Sequence, residues 1–335
     1  MSKVPTSLRL ELASQLNGLH LFVSGGTGFF GKSLLDFLIH LDRNHETSFK
    51  VSILSRDPTL FLKNNPKYQN IKFINFYVGE VQNFTFPNIK CSHLLHLATP
   101  ASVKLNIENP QLMAETIAQG TSRMLEFAKT CSAKTFLFAS SGAVYGPHSE
   151  KTLLSENQTC SVMPLESAYA KAKLLAEEEV LKFTKQNSIQ SQIARCFAFV
   201  GPHLDPNGSF AISNFIRDAL NNKEIVLSGD GSAVRSYLYS EDLAAWLLKL
   251  LFNSRSGAIY NVGSPNALSI LDLAQKVKTL LNPNLKIKVL GQANLSGQTS
   301  YYVPSITLIQ KELGLDVWTS LEEAIINTAN YYKKN

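Results

Sequence analysis

Residues 19–31 read Leu-His-Leu-Phe-Val-Ser-Gly-Gly-Thr-Gly-Phe-Phe-Gly, and Lys32-Ser33-Leu34-Leu35-Asp36-Phe37-Leu38 follow directly. The first six form a short apolar run of the kind buried strands use, and Leu34, Leu35, Phe37, Leu38 and Leu41 recur at helical spacing. Between them lies a bend built on three glycines. Gly25 permits a tight turn, Gly28 lets backbone approach a diphosphate, and Gly31 allows helix to pack closely on strand. The free N–H groups of the helix start then stabilise that anion. Strand, glycine bend and helix together are the context of a dinucleotide-binding loop, with Thr27, Phe29 and Phe30 inside it. The spacing is GxxGxxG, not the more common GxGxxG.

Outward from this unit the elements alternate. Strands are expected at 50–54, 71–77, 93–98, 135–140 and 192–197, with long helices at 113–130 and 165–185. This rhythm predicts an α/β fold, a Rossmann doubly wound parallel sheet, with ligands at the carboxyl ends of the strands. Ser55, Arg56 and Asp57 close the second strand. A serine and an arginine there suit the 2′-phosphate of NADP better than the free hydroxyl of NAD. The other reading has Arg56 in solvent and Asp57 holding the ribose. After Gly201-Pro202 the texture changes to shorter elements: helices at 210–220, 241–252, 269–281, 306–313 and 321–332, and strands at 225–227, 235–239, 258–262 and 285–289. The expected division is residues 1–200, joined by about 233–262, as the dinucleotide-binding domain. Residues 201–232 and 263–335 then form a smaller, discontinuous α/β lobe for substrate.

Tyr169-Ala170-Lys171-Ala172-Lys173 lies in a helix-forming run preceded by Pro164 and Glu166. Tyr169 and Lys173 stand four apart, on one helical face. A phenol ionises near pH 10, too high for a base at neutral pH, and an ammonium one turn away is expected to bring that value down. The pair reads as a proton-transfer unit. An isolated match of this kind is more often a core ring beside a solvated charge, so the glycine bend upstream carries much of the weight.

Composition bounds the rest. The chain has 335 residues, 44% hydrophobic and 17% charged, with a net charge of +6. No lysine or arginine cluster is interleaved with aromatics, which argues against nucleic acid, while a mildly basic surface suits an anionic small molecule. Cys91, Cys131, Cys160 and Cys196 are scattered, with no metal-ligand spacing, and read as reduced thiols in a cytoplasmic protein. Residues 1–18 carry Arg9 and Glu11 inside their apolar pattern and lack the features of a signal peptide. No run is long and apolar enough to suggest a membrane span.

In order and spacing, eight segments resemble the extended short-chain dehydrogenases/reductases, the NAD(P)-dependent nucleotide-sugar epimerases, dehydratases and decarboxylases. They are GGTGFFG (25–31), HLATPAS (96–102), SSGAVYG (140–146), YAKAK (169–173), ARCFAFVGP (194–202), SNFI (213–216), GDGSAVRSYLYSEDLA (229–244) and YNVGS (260–264). HLATPAS, SNFI and the Arg235 segment are most similar to UDP-glucuronate decarboxylases. The resemblance implies that Tyr169 is the general base toward a sugar hydroxyl, and that Lys173 holds the nicotinamide ribose and lowers the tyrosine pKa. It also implies that Ser141 binds the reacting sugar oxygen. Glu80 and Val81 stand at the adenine contact, Leu97 and Ala98 beside the cofactor, and Asn214 and Arg235 at the nucleotide diphosphate. Ser141 acting only as a cap, and Arg235 pairing only with Glu241 or Asp242, remain open.

The departures matter more. Where dehydratases place Asp-Glu after the Ser/Thr, and decarboxylases a glutamate at the second position, this chain has Gly142 and Ala143. Neither transfers a proton. The asparagine of the RxFN stretch is Ala198, and the late arginine before Pro-Asp is missing from Tyr302-Val303-Pro304-Ser305. The resemblance thus implies an epimerase-type enzyme on a nucleotide-diphosphate sugar, using NADP or NAD, with the NADP reading preferred. A 4-keto-sugar reductase, a decarboxylase or 4,6-dehydratase, and a non-catalytic dinucleotide-binding protein are the alternatives. A homodimer through the helices at 113–130 and 165–185 is expected, with no nucleic acid, membrane or metal.

Overall fold

A computed structural model describes residues 2–45, 47–99, 103–160, 167–292 and 299–334. Seven parallel strands form the central sheet: β1 (His20–Ser24), β2 (Lys50–Ser55), β3 (Ile74–Val78), β4 (His93–His96), β5 (Thr135–Ser141), β6 (Gln190–Cys196) and Ile259–Val262. Their spatial order is β3-β2-β1-β4-β5-β6 and then Ile259–Val262. The chain therefore builds outward from β1 in one direction, returns, and builds outward in the other. The switch lies between β1 and β4, where the carboxyl ends of neighbouring strands diverge and a doubly wound sheet takes its ligand.

Both faces are covered, and β5 shows how. Phe136 and Phe138 point into one apolar cluster, while Leu137 and Ala139 point into the other. That is the period of two of a strand buried on both sides. On the first face, α5 (Pro110–Thr130) packs on α6 (Ala168–Gln186). On the second, α2 (Phe29–Asn44) packs on α8 (Ser240–Asn253), whose Trp246 is fully buried. Against these sits α1 (Thr6–Leu16), which the sequence reading missed. Arg9 and Glu11 break its apolar pattern, but Leu8, Leu12 and Leu16 at four-residue spacing mark it, and Leu12 and Leu16 are fully buried.

A further cluster, centred on Ile212, Phe215, Leu273 and Ile325, joins α7 (Ala211–Leu220), α9 (Ile270–Leu281) and α11 (Leu321–Tyr332). The single strand expected at 235–239 is two short ones in different sheets. Val234–Arg235 pairs with Leu268–Ser269 and Tyr301–Tyr302, whereas Leu238–Tyr239 pairs with Phe199–Val200. Ser236 and Tyr237 fall between the two. Of the helix expected at 165–185, residues 165 and 166 lie outside the described residues, as do Pro164 and residues 100–102 of HLATPAS. The helix begins at Ala168, with the Ser167 side chain accepting a hydrogen bond from the Ala170 N–H at 3.2 Å.

Candidate active site

The glycine bend sits at the switch point. Gly25 has φ +74°, and a Cβ there would lie 2.5 Å from the Ala98 nitrogen and 2.6 Å from the Leu97 carbonyl carbon. Backbone touches backbone across the ends of β1 and β4, so only glycine fits. A Cβ on Gly31 would lie 2.3 Å from Gly26 backbone atoms. Gly31 thus seats α2 on the bend itself, not on the strand as expected from the motif. Gly28 is the N-cap residue of α2, with no side-chain cap bond, and is exposed. The first-turn N–H groups of this helix are therefore left for an outside acceptor, as a diphosphate requires. Thr27, Phe29 and Phe30 are half-buried, and Phe30 meets the Phe199 ring edge-on at 5.0 Å.

Around this bend the other expected contacts divide. The Leu97 N–H donates to the Ser24 carbonyl (3.1 Å). Ser24 Oγ is hydrogen-bonded to His96 Nδ1 (2.7 Å), whose Nε2 lies 3.3 Å from Thr121 Oγ1. Burial pushes the His96 imidazole down to about 3, so it stays neutral and its bonds fix the end of β4. Ser55 is buried at the end of β2 and Arg56 is exposed beside it. Asp57 caps α3 (Pro58–Asn64), accepting from the Leu60 N–H at 2.8 Å. Glu80 is exposed and turns the chain through its carbonyl, which accepts from Asn83 and Phe84, while Val81 lies where a Cβ on Gly120 would touch it at 2.9 Å.

Tyr169, Lys173 and Ser141 converge at the ends of β5 and α6. Lys173 is 1% exposed, and its Nζ donates to Thr99 Oγ1 and to the Ala139 carbonyl, both at 2.6 Å. It also sits 4.6 Å above the Phe138 ring. Desolvation brings its pKa down to about 7. The Ser141 side chain draws the Tyr169 phenol's pKa down, and its hydroxyl accepts from the Ala143 N–H at 3.2 Å. It thus caps the turn that follows β5. The Tyr169 N–H donates to Asn106 Oδ1 at 3.0 Å, which pins the start of α6.

One electrostatic expectation is reversed. Burial pushes the Tyr169 phenol up to about 12, and the group that draws it back down is Ser141, with Lys173 turned toward Thr99 and Ala139. The motif alone could not show how little water reaches the ring. Arg235 pairs with neither acid offered as its partner. It donates to the Val234 and Ser300 carbonyls (2.8 and 3.2 Å) and lies 5.8 Å over the Tyr302 ring. Asp242 is engaged elsewhere, accepting from the Trp318 and Thr319 N–H groups and from Thr319 Oγ1 at 2.9–3.0 Å. Asn214 is half-buried on α7 and accepts from Arg217 at 3.4 Å.

Four features of this centre escaped the sequence reading. Thr99 and the Ala139 carbonyl hold Lys173. Glu177, one turn beyond Lys173, is held by Arg195 and Ser140. The Tyr302 hydroxyl comes from the far end of the chain to lie against Gly142. A cleft of about 690 Å³, bordered by Lys32, His203, Asp205, Arg217 and Tyr331, lies apart, and none of Ser141, Tyr169 or Lys173 lines it. Among the described residues no cluster could hold a metal ion, and no helix is long and apolar enough to cross a membrane.

A model of the NAD dependent epimerase/dehydratase family matches residues 21–263, which include the glycine bend, Ser141, Tyr169 and Lys173. The chain belongs to this family of enzymes. UDP-glucuronic acid decarboxylase 5 of Arabidopsis thaliana is 29% identical over 328 residues, covering 96% of this chain and 91% of the relative. UDP-glucuronic acid decarboxylase 1 of Xenopus tropicalis is also 29% identical, covering 97% and 75%. Two solved structures share the epimerase/dehydratase fold. The UDP-glucose 4-epimerase of Thermotoga maritima, solved with UDP-glucose, superposes with a TM-score of 0.80 at 23% identity, covering 94% of this chain and 99% of that one. An epimerase of Methanothermobacter thermautotrophicus does so with 0.84 at 21% identity, covering 99% and 97%.

Proposed function

We propose that this enzyme is an NAD(P)-dependent epimerase of a nucleotide-diphosphate sugar. A nicotinamide dinucleotide, once bound, supplies a reversible hydride acceptor. Gly25, Thr27, Gly28, Phe29, Phe30 and Gly31 would hold its diphosphate, with Ser55 and Arg56 at the adenosine ribose, Glu80 and Val81 near adenine, Leu97 and Ala98 alongside, and Lys173 at the second ribose. The chain's own part is to move one proton. Tyr169 takes it from the sugar hydroxyl and returns it, Ser141 holds the sugar oxygen, and Lys173 stabilises the phenolate when it forms. Asn214 and Arg235 would grip the sugar's diphosphate, with residues 201–232 and 263–335 as the substrate lobe.

The observation that carries this reading is the set Ser141, Tyr169 and Lys173 without an acid at 142 or 143. Transient oxidation and return of hydride need only the three. Elimination of water needs a further acid and base. The likeness to UDP-glucuronic acid decarboxylases favours decarboxylation as the second reading: oxidation of a glucuronate at C4, with hydride passing to the dinucleotide, would give a β-keto acid, whose loss of carbon dioxide asks less of the protein than elimination does. In the test, purified enzyme is incubated with UDP-, GDP-, CDP- and dTDP-sugars and each dinucleotide. The expected products are C-epimers of equal mass, with NADPH bound more tightly than NADH because Arg56 is free to pair with a 2′-phosphate. Release of carbon dioxide and a pentose nucleotide would decide for the second reading.

We also propose a homodimer through α5 and α6. Supporting it, Leu112 and Leu175 are 43% and 54% exposed on these helices. Light scattering at micromolar concentration is expected to give twice the chain mass, and a single-chain mass would remove the dimer.

A further inference from the structure

Gly142 is a glycine for a reason that lies 160 residues away in the chain. A Cβ at this position would sit 2.6 Å from the Tyr302 hydroxyl oxygen and 2.8 Å from the Phe197 ring. The space where a side chain would follow Ser141 is taken by a phenol from the opposite lobe. Tyr302 is held there on three sides. Its strand, Tyr301–Tyr302, pairs in parallel with Val234–Arg235. Its ring lies 4.7 Å from the Phe197 ring, tilted by 34°. The Arg235 guanidinium covers its other flank at 5.8 Å. Ser141 draws down the pKa of both phenols, Tyr169 and Tyr302, against the rise that burial imposes on each.

We propose that Tyr302 is a substrate-binding residue of this site: its hydroxyl donates a hydrogen bond to an uncharged oxygen of the sugar ring, beside the one Tyr169 deprotonates, and Gly142 exists to admit it. The proposal rests on the nucleotide-sugar reading above and narrows it to neutral hexose rings. Burial holds the Tyr302 phenol well above its ordinary value, so it remains a neutral donor through the working range. A neutral donor matches a hydroxyl or a ketone. It offers no countercharge to a carboxylate, which would favour an ammonium or guanidinium at this place. Arg235 is near but spends donors on two backbone carbonyls.

The test compares wild type, Tyr302→Phe and Gly142→Ala for affinity toward UDP, UDP-glucose and UDP-glucuronate by calorimetry, with the dinucleotide-loaded enzyme. Tyr302→Phe keeps the ring and its packing, so melting temperature and UDP affinity should stay within twofold of wild type. A site built to hydrogen-bond a substrate hydroxyl loses heavily when the partner goes. UDP-glucose affinity is therefore expected to fall about tenfold, to the level of UDP alone. Gly142→Ala should do the same by displacing the phenol. UDP-glucuronate should bind wild type no better than UDP does. If wild type binds sugar nucleotides and Tyr302→Phe leaves the difference between UDP-glucose and UDP unchanged, the role of Tyr302 is overturned and the epimerase reading stands. Tighter binding of UDP-glucuronate than of UDP-glucose would also overturn it. If wild type binds none of the three, the nucleotide-sugar reading itself falls, and this inference with it.

Discussion

Tyr169→Phe is expected to lower turnover of the true sugar nucleotide by about 10³-fold, which corresponds to ~4 kcal/mol of barrier. The replacement removes one oxygen and leaves a ring that fills the same half-buried space, so the melting temperature and dinucleotide affinity should hardly change. The size of the loss follows from the environment. Burial holds the phenol near 12, far from neutral pH, so ionising it needs the ammonium of Lys173 and the Ser141 hydroxyl at the moment the sugar proton leaves. With Lys173 itself brought down to about 7, its charge is sensitive to pH near neutrality. Activity should therefore fall on the alkaline side of neutrality, where that ammonium loses its proton and no longer stabilises the phenolate, and this limb should vanish in the variant. Turnover within tenfold of wild type would mean that another group takes the proton.

The largest stability effect is expected at Glu177→Ala. Glu177 and Arg195 are 2% and 4% exposed, and the guanidinium binds the carboxylate through Nε (3.1 and 3.2 Å) and Nη2 (2.7 Å). Ser140 Oγ donates to the same carboxylate at 2.5 Å, and the guanidinium lies 4.9 Å from the Tyr145 ring centre. Removing the acid leaves a buried cation whose paired state had held its proton even more firmly than usual. Breaking a buried pair from one side costs about 3–5 kcal/mol. The urea midpoint should fall accordingly, whereas a double variant, Glu177→Leu with Arg195→Met, should recover most of the loss because it leaves no orphan charge. An unchanged midpoint in Glu177→Ala would show that water reaches Arg195. With Ser140, the pair also ties α6 to β5 and β6 one turn from Lys173.

The parts of this site that were legible in the sequence are those that sit in one local element. The glycine bend announces itself because strand, turn and helix are contiguous, and Tyr169 and Lys173 share one helix. What stayed hidden depends on sheet order. Thr99 follows β4 and Ala139 lies in β5, strands that become neighbours only when the sheet assembles. Tyr302 reaches Gly142 from a strand paired with Val234–Arg235, a pairing that no local pattern encodes. The phenol pKa was misjudged for a related reason, since spacing gives the distance of a charge along a helix but not the water around it.

The two tryptophans of the chain have a practical meaning for whoever handles this protein. Trp246 is fully buried in α8, and its indole N–H donates to the Asp316 carbonyl at 3.1 Å; the Trp318 N–H donates to Asp242 in the same helix. Both fluorophores therefore report on a single seam, where the last stretch of the chain is stitched back onto the sheet's covering helix. A sugar nucleotide entering the catalytic centre should leave the emission spectrum nearly untouched, and a red shift during a titration would instead signal that the seam has opened.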